Sequence, residues 1–227
     1  MYTVVTVNNE AYESLAEWTV HKNKKVYCEK HGYKLHHTND AGSSLAGCNI
    51  AFQTPIPEDS VPFGLGRTLF IQNAFEKYPE SEWIFSTDCD SMITNMDIKL
   101  EDIIKEYADE NTHVLIPTDC NGINCGNMFI KNSPIGKAFL DTIIAGIPLY
   151  RNWYLLENLL IQDLCVGTHL TEQGTRPGGT LWGRVCKIVT QRGFNSYDYK
   201  ELPLLKNRPN YNDILGKNGE WKEGDFM

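Results

Sequence analysis

The run Trp83-Ile84-Phe85-Ser86-Thr87 has the length and the apolar, aromatic character of a buried strand, and it ends abruptly in Asp88-Cys89-Asp90. Residues two apart on an extended strand point the same way, so the two carboxylates converge where the strand leaves its sheet. Like charges there repel, and a hard divalent cation usually relieves them. Mg²⁺ or Mn²⁺ held by one or two carboxylates keeps open positions for substrate phosphates. The implied ligand is a phosphorylated or nucleotide-linked small molecule. Alone, an Asp-x-Asp pair is a weak signal, because acidic turns after strands are common; Ser91 and Asn95 close behind strengthen it.

The flanking pattern sets the fold class. Tyr2 to Val7 reads as a first strand, followed by a helix capped at Asn8 or Asn9, with Tyr12, Leu15, Thr19 and Tyr27 at helical spacing and Gly32 as the stop. Tyr33 to His36 reads as a second strand. Residues 38–63 form a long Gly/Ser/Pro-rich loop, of the kind that tends to be functional or mobile. Gly66 to Tyr78 is an amphipathic helix feeding the strand at 83–87. A helix at 99–108, strands at 114–117 and 128–130, a helix opened by Ser133-Pro134 and closed by Gly146, a helix at 154–166 and a strand at 185–189 follow. Strands alternating with helices indicate an α/β fold with a mostly parallel sheet. No repeat or linker divides the 227 residues, so one domain over 1–227 is expected. Ligands of open α/β sheets sit beyond the carboxyl ends of the strands, which places Thr6, Val7 and Asn8 beside Asp88 and Asp90.

Several function classes fall away. A net charge of −8 disfavours nucleic acid as a partner, and Lys22, Lys24 and Lys25 read as one solvated helix face. A 41% apolar and 22% charged composition argues against disorder. No run reaches the roughly 18 apolar residues of a membrane span. The seven cysteines are odd in number and include no C-x-x-C pair, which favours buried free thiols and a reducing compartment. A cytoplasmic location is the expectation.

His31-Gly32-Tyr33, Asn73 to Pro79, Glu82 to Asp90 and Ile93-Thr94-Asn95 resemble glycosyltransferase family 34, the galactosyl/mannosyl/xylosyltransferases that include yeast Golgi mannan enzymes and plant xyloglucan xylosyltransferases. Gly122 to Ser133, Val189 to Tyr197 and Trp221 to Phe226 continue the resemblance in order, so that it spans roughly residues 25 to 227. It implies a GT-A type, Rossmann-like fold with a mixed, mostly parallel sheet flanked by helices. It further implies a nucleotide-sugar donor, UDP-linked by preference, a glycan or glycoconjugate acceptor, and Mn²⁺ or Mg²⁺ bridging Asp88 and Asp90 to the diphosphate. Arg67 is placed to pair with diphosphate oxygens, and Asn124, Cys125 and Gly126 form a turn toward the sugar, with Asn124 recognising a hydroxyl. Glu157 and Asn158 match the family's acidic-plus-amide pair, with Asn where Gln is usual; a register shift to Gln162-Asp163 is the alternative. Glu157 would anchor a donor hydroxyl and Asn158 would lie near the reacting carbon. The family retains anomeric configuration, which implies front-face displacement with the leaving phosphate helping to deprotonate the acceptor.

Two departures bear on the expectations. The family follows its Gly-Asp-Phe motif with a metal-binding histidine, whereas here Met227 follows Phe226, and His21, His31, His36, His37, His113 and His169 read as surface or helix-end residues. The chain is therefore expected to be a fragment, or else to hold its metal with two acids, diphosphate and water. Yeast and plant members also carry an N-terminal anchor, and Met1 directly before the first strand resembles a membrane-less microbial or large-DNA-virus member; a missing anchor would instead mean the Golgi lumen. Two rivals stand beside a transferase. One is a non-catalytic nucleotide-sugar or glycan-binding module. The other is a haloacid-dehalogenase-type phosphatase, weakened by Met92 where that motif wants Thr or Val and by the late position of the strand.

Overall fold

The structure, a computed structural model, describes residues 1–39, 49–51, 60–119, 122–150, 156–166, 180–197 and 219–227. Its strands are β1 (Tyr2–Val7), β2 (Lys34–Thr38), β3 (Asn49–Ala51), β4 (Ser60–Pro62), β5 (Trp83–Thr87), β6 (Val114–Asp119), β7 (Gly122–Ile123), β8 (Asn127–Lys131) and β9 (Cys186–Val189). The α-helices are α1 (Glu13–Ala16), α2 (Lys25–His31), α3 (Phe63–Lys77), α4 (Leu100–Tyr107), α5 (Pro134–Tyr150) and α6 (Leu156–Val166).

One seven-stranded sheet runs β2-β1-β5-β8-β6-β7, with β9 also on β6. β1 lies parallel to β2 and β5, β8 is antiparallel to both β5 and β6, and β9 is parallel to β6. It follows that β2, β1, β5, β6 and β9 share one direction, opposed among the described strands by β8 and the short β7. The sheet is mixed and mostly parallel, as the alternation of elements indicates.

Central strands of such a sheet are apolar on both faces because both are covered. Ile84, Val5 and Val7 pack with Phe70 and Ile71 of α3, Phe139 of α5 and Leu160 of α6. On the opposite face Phe85 and Val4 meet Tyr27, Leu100 of α4, Phe194 and Phe226. Adjacent residues 84 and 85 thus serve two cores, which is the strand period of two expressed in packing.

The stop and start signals hold with local adjustments. Asn9 caps the first helical stretch by accepting the Tyr12 N–H at 3.2 Å, and Gly32 closes it at φ 73°, a conformation cheap only for glycine. Between α1 and α2 the chain winds as a π-helix over Glu17–Lys24. The buried face is Ala16, Val20, Lys24, Tyr27 and Cys28, while Tyr12 and Leu15 are exposed. The solvated-lysine reading is therefore corrected for Lys24, which lies fully buried and donates to backbone carbonyls; burial lowers its pKa to about 8. Ser133 caps α5 by accepting the Gly136 N–H at 3.0 Å. α5 does not stop at Gly146 but continues through Pro148 to Tyr150, because Leu160 of α6 packs where a side chain at 146 would stand.

Cys28, Cys89, Cys125, Cys165 and Cys186 are buried free thiols, and Cys48 and Cys120 lie outside the described residues. His36 is buried rather than superficial: its ring stacks on Phe70 at 4.1 Å, and burial lowers its pKa to about 4. His169 lies outside the described residues, as do 40–48 and 52–59 of the expected long loop, within which β3 and β4 pair in parallel. Among the described residues no helix is long and apolar enough to cross a membrane.

Candidate active site

The site forms where β5 ends beside the turn between β7 and β8. Asp88 donates its backbone N–H to the Gly126 carbonyl at 2.8 Å, extending the β5–β8 ladder by one bond and fixing where the first carboxylate leaves the sheet. A Cβ on residue 126 would stand 2.5 Å from Asp88 Oδ2 and 2.8 Å from Asn124 Oδ1, so only glycine permits this approach. The side chain of Asp88 is 40% exposed, and Asp90 is exposed at the rim.

Arg67, 4% exposed in the first half of α3, is the hub behind these acids. Its guanidinium pairs with Asp88 Oδ1, donates to Cys125 Sγ at 2.9 Å and stands 3.9 Å from Glu157 Oε1. Its Nε–H has no partner among the described residues. Burial alone would weaken the guanidinium's charge, but Asp88, Cys125 and Glu157 more than restore it, so Arg67 remains a cation. Burial raises the Asp88 carboxyl above the ordinary carboxylate range; Asp90 and Glu157 push the same way and Arg67 opposes. Burial also pushes the Cys125 thiol up to about 12, leaving it neutral as Arg67's acceptor.

The turn itself is tightly bonded. Asn124 Oδ1 accepts the Gly126 N–H at 2.7 Å, and Asn124 Nδ2 donates to Asp119 Oδ2 at 2.8 Å and to the Tyr197 hydroxyl at 3.0 Å. Asn158 of α6 accepts the Cys125 N–H through Oδ1 at 2.7 Å. The alternative pair is turned elsewhere: Gln162 accepts the Ile123 N–H at 3.4 Å and Asp163 accepts from the Tyr150 hydroxyl.

Two cavities open on the acid pair and share Asp88, Asp90, Asn124 and Gly126. The smaller, about 250 Å³, adds Val7, Asn8, Tyr12, Arg67, Glu157 and Asn158. The larger, about 880 Å³, adds Asn127, Asn195, Tyr197, Met92, Trp221 and Met227. Thr6 lines neither; it is buried within β1. Every other residue singled out for the site is thus gathered round one crevice. Asn127, Asn195, Tyr197 and Trp221 belong to motifs quoted for the resemblance, where only the tail after Tyr197 was expected to wall the acceptor, and Met92 carried no role at the site.

Among the described residues no group of three His, Cys, Asp or Glu side chains is spaced to hold a metal ion. The donors present are two hard carboxylates with open space on both sides, which fits an Mg²⁺- or Mn²⁺-like ion that takes its remaining ligands from substrate and water.

The model of the galactosyl transferase GMA12/MNN10 family matches residues 1–109 and 104–227. The chain belongs to that family. Two members illustrate the range. An α-1,2-galactosyltransferase of Schizosaccharomyces pombe is 28% identical over 151 residues, covering 53% of this chain and 37% of the relative. A probable α-1,6-mannosyltransferase of Saccharomyces cerevisiae is 27% identical over 156 residues, covering 55% and 36%. The chain thus spans a little over a third of either relative's length. Among solved structures, a glycosyltransferase involved in glycosylation of the major capsid of PBCV-1 superimposes with a TM-score of 0.60 at 16% identity, covering 91% of this chain and 89% of that one. The galactosyltransferase LgtC, with donor and acceptor sugar analogs, gives 0.51 at 9% identity, covering 96% and 82%. These likenesses establish the GT-A glycosyltransferase fold for this member of the GMA12/MNN10 family.

Proposed function

We propose that this domain transfers a hexose or pentose from a nucleotide sugar, UDP-linked by preference, to a hydroxyl of a glycan, with retention of anomeric configuration. The observation that carries the reading is the placement of Asp88 and Asp90 between two cavities, locked to the Asn124–Gly126 turn, with a buried cation behind them. Asp88 and Asp90 are the residues to hold Mn²⁺ or Mg²⁺. When bound, the ion supplies Lewis-acid stabilisation of charge growing on the departing diphosphate.

The chain's own groups do the remainder. Arg67 holds Asp88 in place and lines the smaller cavity as the buried cation for diphosphate oxygens. Asn124 spends both ends of its amide inside the protein, so its part is to shape the turn that meets the sugar rather than to grip a hydroxyl. Asn158, anchored through Oδ1 to the turn, has an amide nitrogen without a partner among the described residues and is the polar group to sit near the reacting carbon. Glu157 is the carboxylate for a donor hydroxyl. In the transfer the acceptor oxygen bonds to the anomeric carbon on the face from which the bond to the diphosphate oxygen breaks, and the acceptor proton passes to the leaving diphosphate. With no enzyme nucleophile in this scheme, orientation supplies most of the rate.

Melting temperature measured across a panel of nucleotide sugars, with and without Mn²⁺, tests the reading, since a ligand that binds only the folded state raises it. A rise that needs both Mn²⁺ and a nucleotide sugar is expected, and it is expected to vanish in Asp88→Ala and Asp90→Ala. Unaltered Mn²⁺-dependent UDP affinity in both variants would defeat the assignment.

A further inference from the structure

Beneath the acidic loop lies a cation that the proposed chemistry leaves unused. Lys24 is 0% exposed, and its ammonium donates to the carbonyls of Ser91 at 2.6 Å, Thr19 at 3.2 Å and Cys89 at 3.5 Å. Cys89 and Ser91 flank Asp90 on either side. Burying an ammonium is costly, and a helix that needed only packing at this point would be served by Leu or Met. The neighbouring Asn23 grips the same loop farther on, donating to the Ile93 carbonyl and accepting the Ile93 N–H, each at 2.9 Å. Both residues lie in the π-helical section Glu17–Lys24, and wide turns of this kind concentrate at functional sites. From the other side, Ser91 Oγ donates to the Asp88 carbonyl at 2.7 Å and lies 2.6 Å from Thr87 Oγ1, which donates to Asn127 at 2.7 Å.

We propose that Lys24 is a positioning residue for the acid pair: by clamping the carbonyls on both sides of Asp90 it presents the two carboxylates to the cavities before any cation arrives. This rests on the reading of Asp88 and Asp90 as cation-holding groups. The ammonium also repels an incoming cation, so its two effects have opposite signs. The proposal commits to the clamp as the larger.

The test compares wild type with Lys24→Met, which removes charge and donors at similar length, and Lys24→Gln, which restores an amide donor without charge. Ile143→Val, in the distant α5 core, controls for general loosening. Mn²⁺ affinity is read from the electron paramagnetic resonance signal of the free ion, and hydrogen exchange is followed at amides 88–93 in the metal-free proteins. Lys24→Met is expected to bind Mn²⁺ about tenfold more weakly or worse, as loss of a group that orients a ligand does. Lys24→Gln should lose less, faster exchange should stay within 88–93, and Ile143→Val should bind as wild type does. Equal or tighter Mn²⁺ binding by Lys24→Met, faster exchange throughout the chain, or failure of both Lys24 variants to fold overturns the proposal. Wild-type protein that takes up no Mn²⁺ removes the parent reading as well; wild-type uptake with an unaffected Lys24→Met removes this inference alone.

Discussion

Gly126 and Asp88 define each other's place, and the tolerance between them is less than one methyl group. In Gly126→Ala the new Cβ meets Asp88 Oδ2 and Asn124 Oδ1, both side-chain atoms that must swing away. The fold should lose only about 1–2 kcal/mol, the usual cost of modest overpacking. Mn²⁺-dependent UDP binding, measured by calorimetry, should fall about tenfold or more because an oriented ligand has been displaced. A second residue-scale outcome concerns pH. His36 is buried against Phe70 with Nε2 unpartnered among the described residues, and its pKa sits near 4 against 6.5 for an ordinary histidine. The unfolded chain therefore takes up a proton first. Stability from His36 is fully present above about pH 6.5 and is lost as pH falls from there toward 4. Thermal melts between pH 7 and 4.5 should show that decline, and His36→Gln should flatten it.

At the level of elements, α5 is tied to β8 by a close crossing. Gly136, in the first turn of α5, leaves no room for a Cβ beside the backbone carbonyl of Lys131. Backbone cannot swing aside as a side chain can. Gly136→Ala is thus expected to destabilise by about 2–4 kcal/mol despite alanine's better helix propensity, a loss readable in urea titrations. The start of this helix was legible in Ser133-Pro134 because a capping hydroxyl and a proline act through local backbone chemistry. Its end was not, since Gly146 answers to Leu160 on another helix and tertiary packing overrides the local stop signal. The first helical stretch teaches the same distinction. Asn9 and Gly32 announced its limits, yet Tyr12 and Leu15 face solvent while Lys24 lies inside. Lys24 keeps helical phase with Val20, Tyr27 and Cys28, so the spacing was present in the sequence, but its charge masked it. Asp88 and Asp90 could be picked out because they end a strand of recognisable type, whereas Asn124 and Gly126 were singled out through the family resemblance. Tyr197, Asn195 and Trp221 reach the crevice only through long-range packing, which no local pattern specifies.

Across the domain, residues 221–227 return to the acid-bearing strand and close one core. Phe226 packs among Tyr27 and Phe85, its carbonyl accepts the Thr94 N–H at 2.8 Å, and Arg192 grips Asp225 through Nε and Nη2. The Trp221 indole donates to Thr94 at 3.1 Å, so the tail walls the larger cavity while it seals one core. Phe226→Ala should cost about 3–5 kcal/mol, as aromatic truncations in cores do. Donor and acceptor binding should suffer along with the melting temperature, whereas a core truncation at Ile143 should lower the melting temperature alone.

The bond from the Thr94 hydroxyl to the Asp225 carbonyl spans 131 positions in the chain. A ribosome adds about 5–20 residues each second, so the acid-bearing strand waits on the order of ten seconds in the emerging polypeptide before its opposite bank exists. During that interval the loop after Asp90 lacks its hydrogen bonds to the tail and Phe85 lacks the part of its aromatic cover that Phe226 supplies. Any chaperone that shields such nascent chains should therefore engage this one most strongly between the synthesis of β5 and the arrival of Phe226.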